Sequence, residues 1–389
     1  MFEFAPYSPA AESAVREIWM QAFDTAADYW PVFTERIGPE NVRTLKHGGT
    51  PIGLLGVYRM GQWFGGHAVP SGGFAAVAIA PEHRQRGAAK HMLTASLQEL
   101  RAAKIPIASL YPTSQAVYRS IGFEQAGSRC FYELPVRSIG LRERGLAARR
   151  VPSDGSAGFD DVYRQFAQTQ NGTVERTPGL WERLLVNPSG DPQYAYVVEE
   201  DGQPAGYVIY HLDGSGSDGQ TRIAVRDWCA LSGAAARRLW SLLADHGTMV
   251  ESVCWFGAAR DDMLAHVAEC KPTKISLQRW MLRLLDVPAA LAARGYPGAN
   301  GELHLDVTDP LIAENTGPLV LTVRDGSATV EPGGRGDLKC DIRGLGPLYT
   351  GMFRPDTLAR LGWITGTPAA IDTATTLFAG PEPWMPEYF

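Results

Sequence analysis

Residues 77–90, V-A-I-A-P-E-H-R-Q-R-G-A-A-K, constrain the fold of this chain more than any other segment. The pattern predicts a β-strand that stops at a proline, a loop that turns at Gly87, and then an amphipathic helix. The apolar face of that helix carries Ala89, Leu93, Leu97 and Leu100. Backbone N–H groups at a helix N-terminus, together with the helix dipole, bind phosphate groups. Because small residues follow Gly87 and leave room for such a group, the segment predicts a pyrophosphate-binding loop.

The loop side chains Arg84, Gln85 and Arg86 add positive charge and hydrogen-bond donors beside the helix start. The spacing R-x-x-G-x-A differs from the G-x-x-x-x-G-K-[ST] of nucleotide triphosphatases and from the G-x-G-x-x-G of dinucleotide folds. Taken alone, the motif is also compatible with an ordinary loop before a helix. A short apolar strand over residues 105–111 and a helix that starts at 114, with the sequence S-Q-A-V-Y-R-S-I-G-F-E, follow in order.

The loop resembles the acetyl-coenzyme A loop of the GNAT acetyltransferase superfamily. The tyrosine that shortly precedes I-G-F-E resembles the segment that ends the cofactor site in that superfamily. The resemblance implies that acetyl-CoA is the co-substrate and that residues 84–90, named here the phosphate loop, contact it.

The composition argues against several classes of function. The formal net charge is −6 and no dense run of Lys or Arg occurs, so neither nucleic acid nor an anionic membrane surface is an expected partner. The five cysteines are odd in number and include no C-x-x-C pair, so neither a disulfide framework nor a metal site is expected. We expect buried thiols in a reducing cytoplasm. The sequence contains neither a signal-peptide pattern nor a long apolar run, so secretion and a membrane span are not expected.

The pattern along the chain predicts three domains. In residues 1–145, a helical region over 9–38 precedes strands over 52–60 and 62–69, and a further strand enters the phosphate loop. This is the order of a GNAT domain that binds acetyl-CoA. A charged segment follows the strand predicted over 131–136, and it places the domain boundary near residue 145.

Residues 146–284 are predicted to repeat that order as a central GNAT-like domain. Strands over 194–199 and 206–212 are joined by an E-E-D-G-Q-P turn, and a strand over 221–231 precedes a helix. The counterpart of the phosphate loop, A-L-S-G-A-A at residues 230–235, lacks the arginine or glutamine three positions before its glycine. We expect a degenerate loop without cofactor, and a weak second site is the alternative.

Residues 285–389 are predicted to form the last domain. The segment L-V-L-T-V-R-D-G-S-A-T-V-E-P predicts a hairpin that turns at Asp325-Gly326, and helices are expected over 344–350, 355–361 and 368–378. This arrangement resembles a sterol-carrier-protein domain with an apolar pocket. The fold class is therefore α+β, with tandem GNAT-like mixed-sheet domains followed by a sterol-carrier-like α/β domain.

The whole arrangement resembles the Eis (enhanced intracellular survival) family of N-acetyltransferases. Its most specific marks are V-A-I-A-P-E-H-R-Q-R-G, A-V-Y-R-S-I-G-F, R-W-M-L-R-L-L-D-V-P-A-A-L and a C-terminal phenylalanine. The resemblance implies acetyl-CoA-dependent acetylation of small-molecule amines, including aminoglycosides, by a homohexamer. It also implies Tyr118 as general acid and the C-terminal carboxylate of Phe389 as general base. The residues implied to bind acetyl-CoA are Val77, Ala78, Ile79, Arg84, Gln85, Arg86, Gly87, Ala88, Ala89, Lys90, Thr113 and Ser114.

Each assignment has a simpler alternative. Tyr118 is either the acid or a tyrosine packed in the core, and Phe389 is either docked as the base or the frayed end of a chain. The tail P-E-P-W-M-P-E-Y-F favours docking, because its prolines stiffen it and its large apolar side chains need burial. A C-terminal carboxylate is a poor base in water, so this role also requires burial.

The resemblance to GNAT folds implies an acceptor site near Asp24, Asp28, Tyr29 and Trp30. Carboxylates and aromatic rings suit a polycationic amine, although ordinary helix-end acids would give the same pattern. The acid nearest to the C-terminus is Glu387 rather than the neighbour of Phe389, so the substrate range is expected to differ from that of family members with an acid there. Two other functions stay open, namely a protein-lysine acetyltransferase and a lipid-binding module on a GNAT scaffold.

Overall fold

A computed structural model describes residues 1–152, 158–186, 192–214 and 221–389. The chain forms two compact units. Unit 1 contains Met1–Gly127, Arg279–Pro383 and Tyr388–Phe389, and unit 2 contains Ser128–Gln278 and Trp384–Glu387. The boundary predicted near residue 145 lies inside unit 2, and the last predicted domain shares unit 1 with the first.

The helices and strands of the first part of the chain are β1 (Phe2–Pro6), α1 (Glu12–Phe23), α2 (Tyr29–Ile37), β2 (Val42–His47), β3 (Thr50–Phe64), β4 (His67–Ile79), α3 (Ala88–Ala102), β5 (Ile107–Leu110), α4 (Gln115–Arg119) and β6 (Glu124–Pro135). Those of the middle part are β7 (Ala147–Val151), α5 (Asp160–Gln168), β8 (Val174–Glu175), α6 (Pro178–Leu185), β9 (Gln193–Glu200), β10 (Gln203–Asp213), β11 (Arg222–Ala230), α7 (Gly233–Ala244), β12 (Ser252–Gly257) and β13 (Lys274–Leu284). Those of the last part are α8 (Val287–Ala293), β14 (Gly301–Thr308), β15 (Gly317–Arg324), β16 (Ser327–Pro332), β17 (Leu338–Asp341), α9 (Ile342–Thr350), α10 (Pro355–Arg360), β18 (Ile364–Gly366) and α11 (Pro368–Leu377).

The larger sheet of unit 1 runs in the order β1-β2-β3-β4-β5-β13. Adjacent strands in this sheet are antiparallel except β4 and β5, which are parallel and joined by the crossover helix α3. Helix α3 buries Leu93, Leu97 and Leu100 in the core, as the sequence predicts. Met92 is also buried, whereas Ala89 is only partly buried, so the apolar face lies slightly rotated from the prediction.

Two predictions for the first part of the chain are wrong in detail. The helical region over 9–38 contains two helices. The first ends at Asp24, which has a left-handed conformation (φ 47°), and the second begins at Tyr29. The strands expected over 52–60 and 62–69 are the longer hairpin β3–β4, which turns at Gly65 (φ 58°) and Gly66 (φ 85°). Glycine adopts positive φ at little cost, so this Gly-Gly pair was the turn signal.

The sheet of unit 2 runs in the order β6-β12-β11-β10-β9-β7, and α7 packs on it. The hairpin β9–β10 confirms the turn predicted at E-E-D-G-Q-P, where Asp201 and Gly202 have φ values of 52° and 75°. Three tryptophans, Trp228, Trp240 and Trp255, pack edge to face at the centre of this core. The order of strands and helix thus repeats the pattern of unit 1.

The C-terminal part of unit 1 contains a second sheet with the order β16-β15-β14-β17-β18. The predicted hairpin is confirmed as β15–β16, with Asp325 (φ 49°) and Gly326 (φ 79°) at its turn. Helices α9, α10 and α11 confirm the three helices expected after it.

Two further expectations concern membrane-spanning helices and the cysteines. Within the described ranges, none of the helices combines the length and the hydropathy needed to cross a bilayer. All five cysteines are free thiols; four are buried, but Cys270 is exposed, which corrects the expectation for that residue.

Candidate active site

A cleft of about 630 Å³ opens in unit 1 between the end of β4, the phosphate loop and α4. Its volume lies in the range of small-molecule and cofactor sites. The residues that line it are Ala22, Phe23, Val77, Ala78, Ile79, Arg84, Gln85, Gly87, Ala88, Ala89, Lys90, Thr113, Ser114, Val117, Tyr118 and Ser120. Eleven of the twelve residues implied to bind acetyl-CoA are in this set, and Arg86 lies exposed outside it.

The cleft opens where β4 has left β5 but still pairs with β3. Its parallel pairing with β5 covers Ser71–Gly73, and the strand continues to Ile79. A bulge shifts the register with β3 between the pairs Gly56↔Ala75 and Leu54↔Ala78. Ala76 adopts φ 51° there, which is strained for a residue with a Cβ atom. The bulge thus interrupts the pairing with β3 at residues 76 and 77, and the segment 77–79 lines the cleft.

The phosphate loop presents the N-terminus of α3 to the same cleft. Gln85 (φ 61°) and Gly87 (φ 79°) are left-handed, and the helix begins directly after Gly87. No side chain caps α3, so the first N–H groups of the helix are available to an anion. Arg84 donates from Nε to the carbonyl oxygen of Ile79 at 3.0 Å, which ties the loop to the end of β4.

The equivalent helix start in unit 2 differs in both charge and capping. The Ser232 hydroxyl accepts from the N–H of Ala235 at 3.1 Å, and donates to Glu200 Oε2 at 2.6 Å. A carboxylate therefore lies where an anionic phosphate would need a donor. A smaller cavity of about 260 Å³ lies beside this helix, and Arg260 and Asp261 are among the residues that line it.

Tyr118 projects from the short helix α4 into the first cleft and is 7% exposed. Its ring packs edge to face on Phe123, with 5.9 Å between the ring centroids. In the part of the chain that the structure describes, its hydroxyl makes no hydrogen bond. Burial, with a smaller contribution from Tyr388, raises the pKa of Tyr118 to about 12. The phenol is therefore protonated at neutral pH.

The last two residues of the chain also lie in unit 1. The ring centroid of Phe389 is 5.8 Å from that of Tyr58, and the ring of Tyr388 is 5.0 Å from that of Tyr111. The Phe389 ring covers Gly73, since a Cβ atom built there would be only 2.8 Å from it. Gly73 is the last β4 residue in the pairing with β5, so the C-terminus lies where the two strands part.

The expected acceptor residues occupy two different environments. Asp24 and Asp28 are exposed, at the C-terminal end of α1 and at the start of α2. Trp30 is 1% exposed and packs against Trp19 and Phe33, which places its ring in the core. Ala22 and Phe23, which precede Asp24, line the cleft.

Sequence reasoning missed several residues of the site. They are the bulge at Ala76, the aromatic side chains of Tyr58 and Tyr111, and the contact of Phe389 with Gly73. One local signal was present, because adjacent glycines inside a strand mark a close approach of another group. The ring contacts depend on pairings between distant segments and have no local signal.

Three segments of the chain match known domain families. Residues 3–126 and residues 172–284 each match a family model described as an acetyltransferase (GNAT) domain, and residues 287–386 match a sterol carrier protein domain. GNAT acetyltransferases use acetyl-CoA as the acetyl donor.

The chain is similar to N-acetyltransferases over most or all of its length. A GCN5-related N-acetyltransferase from Anabaena variabilis is 36% identical, with a TM-score of 0.96 and coverage of 100% of both chains. An uncharacterized N-acetyltransferase from Streptomyces griseus is 29% identical over 84% of this chain and 83% of the relative. The N-acetyltransferase Eis of Mycobacterium bovis is 27% identical over 75% of this chain and 73% of the relative. The chain thus belongs to the GCN5-related N-acetyltransferases and is an Eis-like enzyme with two GNAT domains and a C-terminal sterol carrier protein domain.

Proposed function

We propose that this enzyme transfers the acetyl group of acetyl-CoA to a primary amine of an aminoglycoside-type polyamine. Tyr118 serves as general acid and the C-terminal carboxylate of Phe389 as general base. The main support is that unit 1 contains the uncapped start of α3, a buried protonated tyrosine and the last residue of the chain. Resemblance to the Eis family also suggests a homohexamer in the cytoplasm.

The phosphate loop has the features that a pyrophosphate requires. The N–H groups of Ala88, Ala89 and Lys90 are not used within the first turn of α3, and the helix dipole favours negative charge there. A Cβ atom at Gly87 would contact nothing, so the loop is open on that side. Thr113 and Ser114 line the opposite wall. Binding of acetyl-CoA to unit 2 is disfavoured, because Ser232 and Glu200 occupy the equivalent helix start there.

The reaction requires an oxyanion donor, a proton for the departing thiolate and a base for the amine. Acetyl-CoA supplies the acetyl thioester when it is bound. The backbone N–H of Ile79, on the strand segment that lines the cleft, is suited to hold the developing oxyanion. Tyr118 is suited to donate the proton, because its phenol retains that proton at neutral pH.

The raised pKa of Tyr118 is compatible with this role. In water a phenol with a pKa of ~10 donates to a thiolate of ~8.5 slightly uphill. Burial raises the pKa of thiols as well as of phenols. The same effect is present in this chain, where burial raises the pKa of Cys254 to about 11 and that of Cys340 to about 12. A thiolate that leaves inside the cleft is thus also a stronger base than in water, which brings donor and acceptor closer in proton affinity.

The base is assigned to Phe389 because the resemblance to the Eis family implies a C-terminal carboxylate in this role and because the packing of the Phe389 ring is compatible with it. The ring fixed against Gly73 and Tyr58 holds the terminal residue where β4 and β5 part. A carboxylate held there is suited to accept a proton from the attacking amine, directly or through a water.

The acceptor is assigned as a polycation from the charges beside the cleft. Asp24 terminates α1, where a negative charge opposes the helix dipole, so its position is not explained by helix stability. Asp28 adds a second exposed carboxylate a few residues away. Trp30 contributes through packing, because its ring is in the core.

One experiment tests the assignment. Coenzyme A release is measured with an aminoglycoside acceptor for the wild type, Tyr118→Phe and a variant extended by three residues after Phe389. The proposal expects strong loss of turnover in both variants with acetyl-CoA affinity retained. Wild-type turnover in the extended protein would contradict the assignment of the C-terminal carboxylate as the base.

The same assay separates the alternative functions. Higher turnover on a lysine peptide than on the aminoglycoside would favour protein lysines as the acceptor, and retention of lipid without acetyl-CoA binding would favour the lipid-binding module.

A further inference from the structure

We propose that a buried ion-pair cluster in unit 2, Arg176 with Asp227 and Glu387, is a positioning device for the C-terminal carboxylate. It holds the tail at Glu387, two residues before Phe389, and so determines where the chain ends. This inference rests on the proposed function, in which that carboxylate is the base. Arg176 and Glu387 are positioning residues, since neither belongs to the reacting groups.

The guanidinium of Arg176 binds both carboxylates inside the protein. Nη1 and Nη2 donate to the two oxygens of Asp227 at 2.6 and 3.0 Å, and Nε donates to Glu387 Oε1 at 2.6 Å. The side chains of Arg176, Asp227 and Glu387 are 0%, 7% and 4% exposed. Charge-assisted bonds of this kind are directional and strong where water is excluded.

Aromatic rings fix the plane of the guanidinium. Its central carbon lies 3.6 Å from the ring centroid of Tyr163 and 4.6 Å from that of Trp181. The Tyr207 hydroxyl donates to Asp227 and accepts from Arg176 Nη1. Burial disfavours the charged guanidinium, but Asp227 and the other nearby negative groups raise the pKa of Arg176 well above its ordinary value. Arg176 is therefore a permanent, rigid cation.

Glu387 is not needed to neutralise this cation. Asp227 already pairs with Arg176 through two hydrogen bonds, so Glu387 leaves the buried cluster with an excess negative charge. Its Oε2 atom is buried and has no hydrogen-bond partner among the described residues. Buried charge of this kind is costly, and its established benefit is to specify one geometry. What Glu387 contributes is therefore the attachment of the tail.

The residues just before Glu387 are bound to the same unit. The N–H of Trp384 donates to the carbonyl of Asn171 at 2.9 Å, and the N–H of Met385 donates to the carbonyl of Ser128 at 3.3 Å. Arg129 Nη1 donates to the carbonyl of Pro386 at 3.2 Å. Four consecutive residues are thus held, and the chain then ends after Tyr388 and Phe389.

The test compares the rate at which a carboxypeptidase releases the last residues with the kcat of each variant. Glu387→Gln removes the charge at almost constant shape, and Glu382→Gln is the matched control outside the cluster. Val208→Ala, at a fully buried position of unit 2, controls for general destabilisation. Release of Phe389 and Tyr388 by a carboxypeptidase is followed by intact mass, and kcat and the KM for acetyl-CoA are measured with an aminoglycoside.

The proposal expects Glu387→Gln to release its last residues at least about tenfold faster than the wild type and both controls. It expects kcat to fall about 10²-fold, as for a group displaced by an ångström, with the KM for acetyl-CoA unchanged. Insertion of one glycine after Glu387 keeps the cluster but moves the terminus by up to ~3.8 Å, and the same loss of kcat is expected. The insertion leaves the buried cluster unaltered. It therefore tests the positioning role even if Glu387→Gln does not fold.

The outcomes separate the two proposals. Tail release at the wild-type rate in Glu387→Gln would overturn the positioning role, whatever the turnover. Full turnover of the glycine insertion would also overturn it, provided that extension after Phe389 abolishes activity. Faster release in Glu387→Gln with full turnover there and in the extended protein would support the anchor and reject the terminal base.

Discussion

The hydroxyl of Tyr118 is held where its protonated form is favoured, and this gives the acid assignment a distinct pH signature. Burial raises the pKa of Tyr118 to about 12, so the phenol keeps its proton until the pH approaches that value. We expect Tyr118→Phe to lower kcat by about 10²-fold, the usual contribution of a general acid. The ratio of wild-type to variant kcat should stay nearly constant from about pH 6 to 10.5, because a phenol with a pKa of about 12 is still almost fully protonated there. A phenol with the ordinary pKa of ~10 would be mostly ionised at the top of that range.

The control for this prediction is thermal stability. Because the hydroxyl has no hydrogen-bond partner in the described chain, its removal breaks no bond, and the melting temperature should not fall. A ratio that falls about twofold by pH 10 and about fourfold by pH 10.5 would show a phenol with the ordinary pKa of ~10. A large loss of stability would instead assign Tyr118 to the core.

Gly73 and its neighbour Gly72 allow a second prediction at the residue scale. They face opposite sides of β4; a Cβ atom at Gly73 would lie 2.8 Å from the Phe389 ring, and one at Gly72 would lie 2.7 Å from Leu100 in the core. We expect Gly73→Ala to displace Phe389 and lower kcat about tenfold or more. The Cβ atom would also lie 2.9 Å from the terminal methyl of Met60, but that flexible side chain can move, so the loss of stability should be the smaller of the two variants. Gly72→Ala should lower the free energy of unfolding by about 1–3 kcal/mol and leave kcat near the wild-type value.

Steady-state kinetics gives kcat for Gly72→Ala and Gly73→Ala, and denaturant unfolding gives their free energies of unfolding. If both alanine variants lose stability equally and kcat is the same in both, the ring of Phe389 does not fix the base.

At the scale of elements, the phosphate loop depends on a left-handed residue directly before α3. Gly87 has φ 79° and nothing near its missing Cβ atom, so a substitution acts through the backbone alone. Asn tolerates this conformation and Val does not. We expect Gly87→Val to raise the KM for acetyl-CoA about tenfold and Gly87→Asn to raise it about twofold or less. Equal effects of both substitutions in acetyl-CoA titrations would mean that the loop geometry does not control binding.

The same elements show how far a sequence predicts this fold. The loop over residues 84–90 and the hairpin at Asp325-Gly326 have local signals, namely glycines placed between periodic apolar residues, and both were predicted correctly. The bulge at Ala76 was not predicted, because it depends on the register between β3 and β4. The Arg176–Glu387 ion pair joins residues 211 positions apart, and no local pattern connects them.

At the scale of the whole molecule, two units contain the same order of strands and helix, but among the residues that the structure describes only unit 1 has the features of a donor site. Helix α3 begins with free N–H groups beside a cleft of about 630 Å³. Helix α7 begins with a capping serine bonded to Glu200, beside a cavity of about 260 Å³. A carboxylate at a helix N-terminus competes with any phosphate for the same dipole and donors. The second unit therefore retains the fold without the charge pattern that binds a pyrophosphate.

This difference fixes the expected stoichiometry. Titration calorimetry should give one acetyl-CoA per chain, and Ala88→Asp should abolish binding, because Ala88 is buried at the start of α3 and a carboxylate there repels the pyrophosphate. Glu200→Gln, which removes the charge beside Ser232, is the matched control and should leave the stoichiometry at one per chain. Two acetyl-CoA molecules per wild-type chain, or residual binding in Ala88→Asp that disappears when α7 is altered, would place a second donor site in unit 2 and contradict its assignment as a degenerate domain.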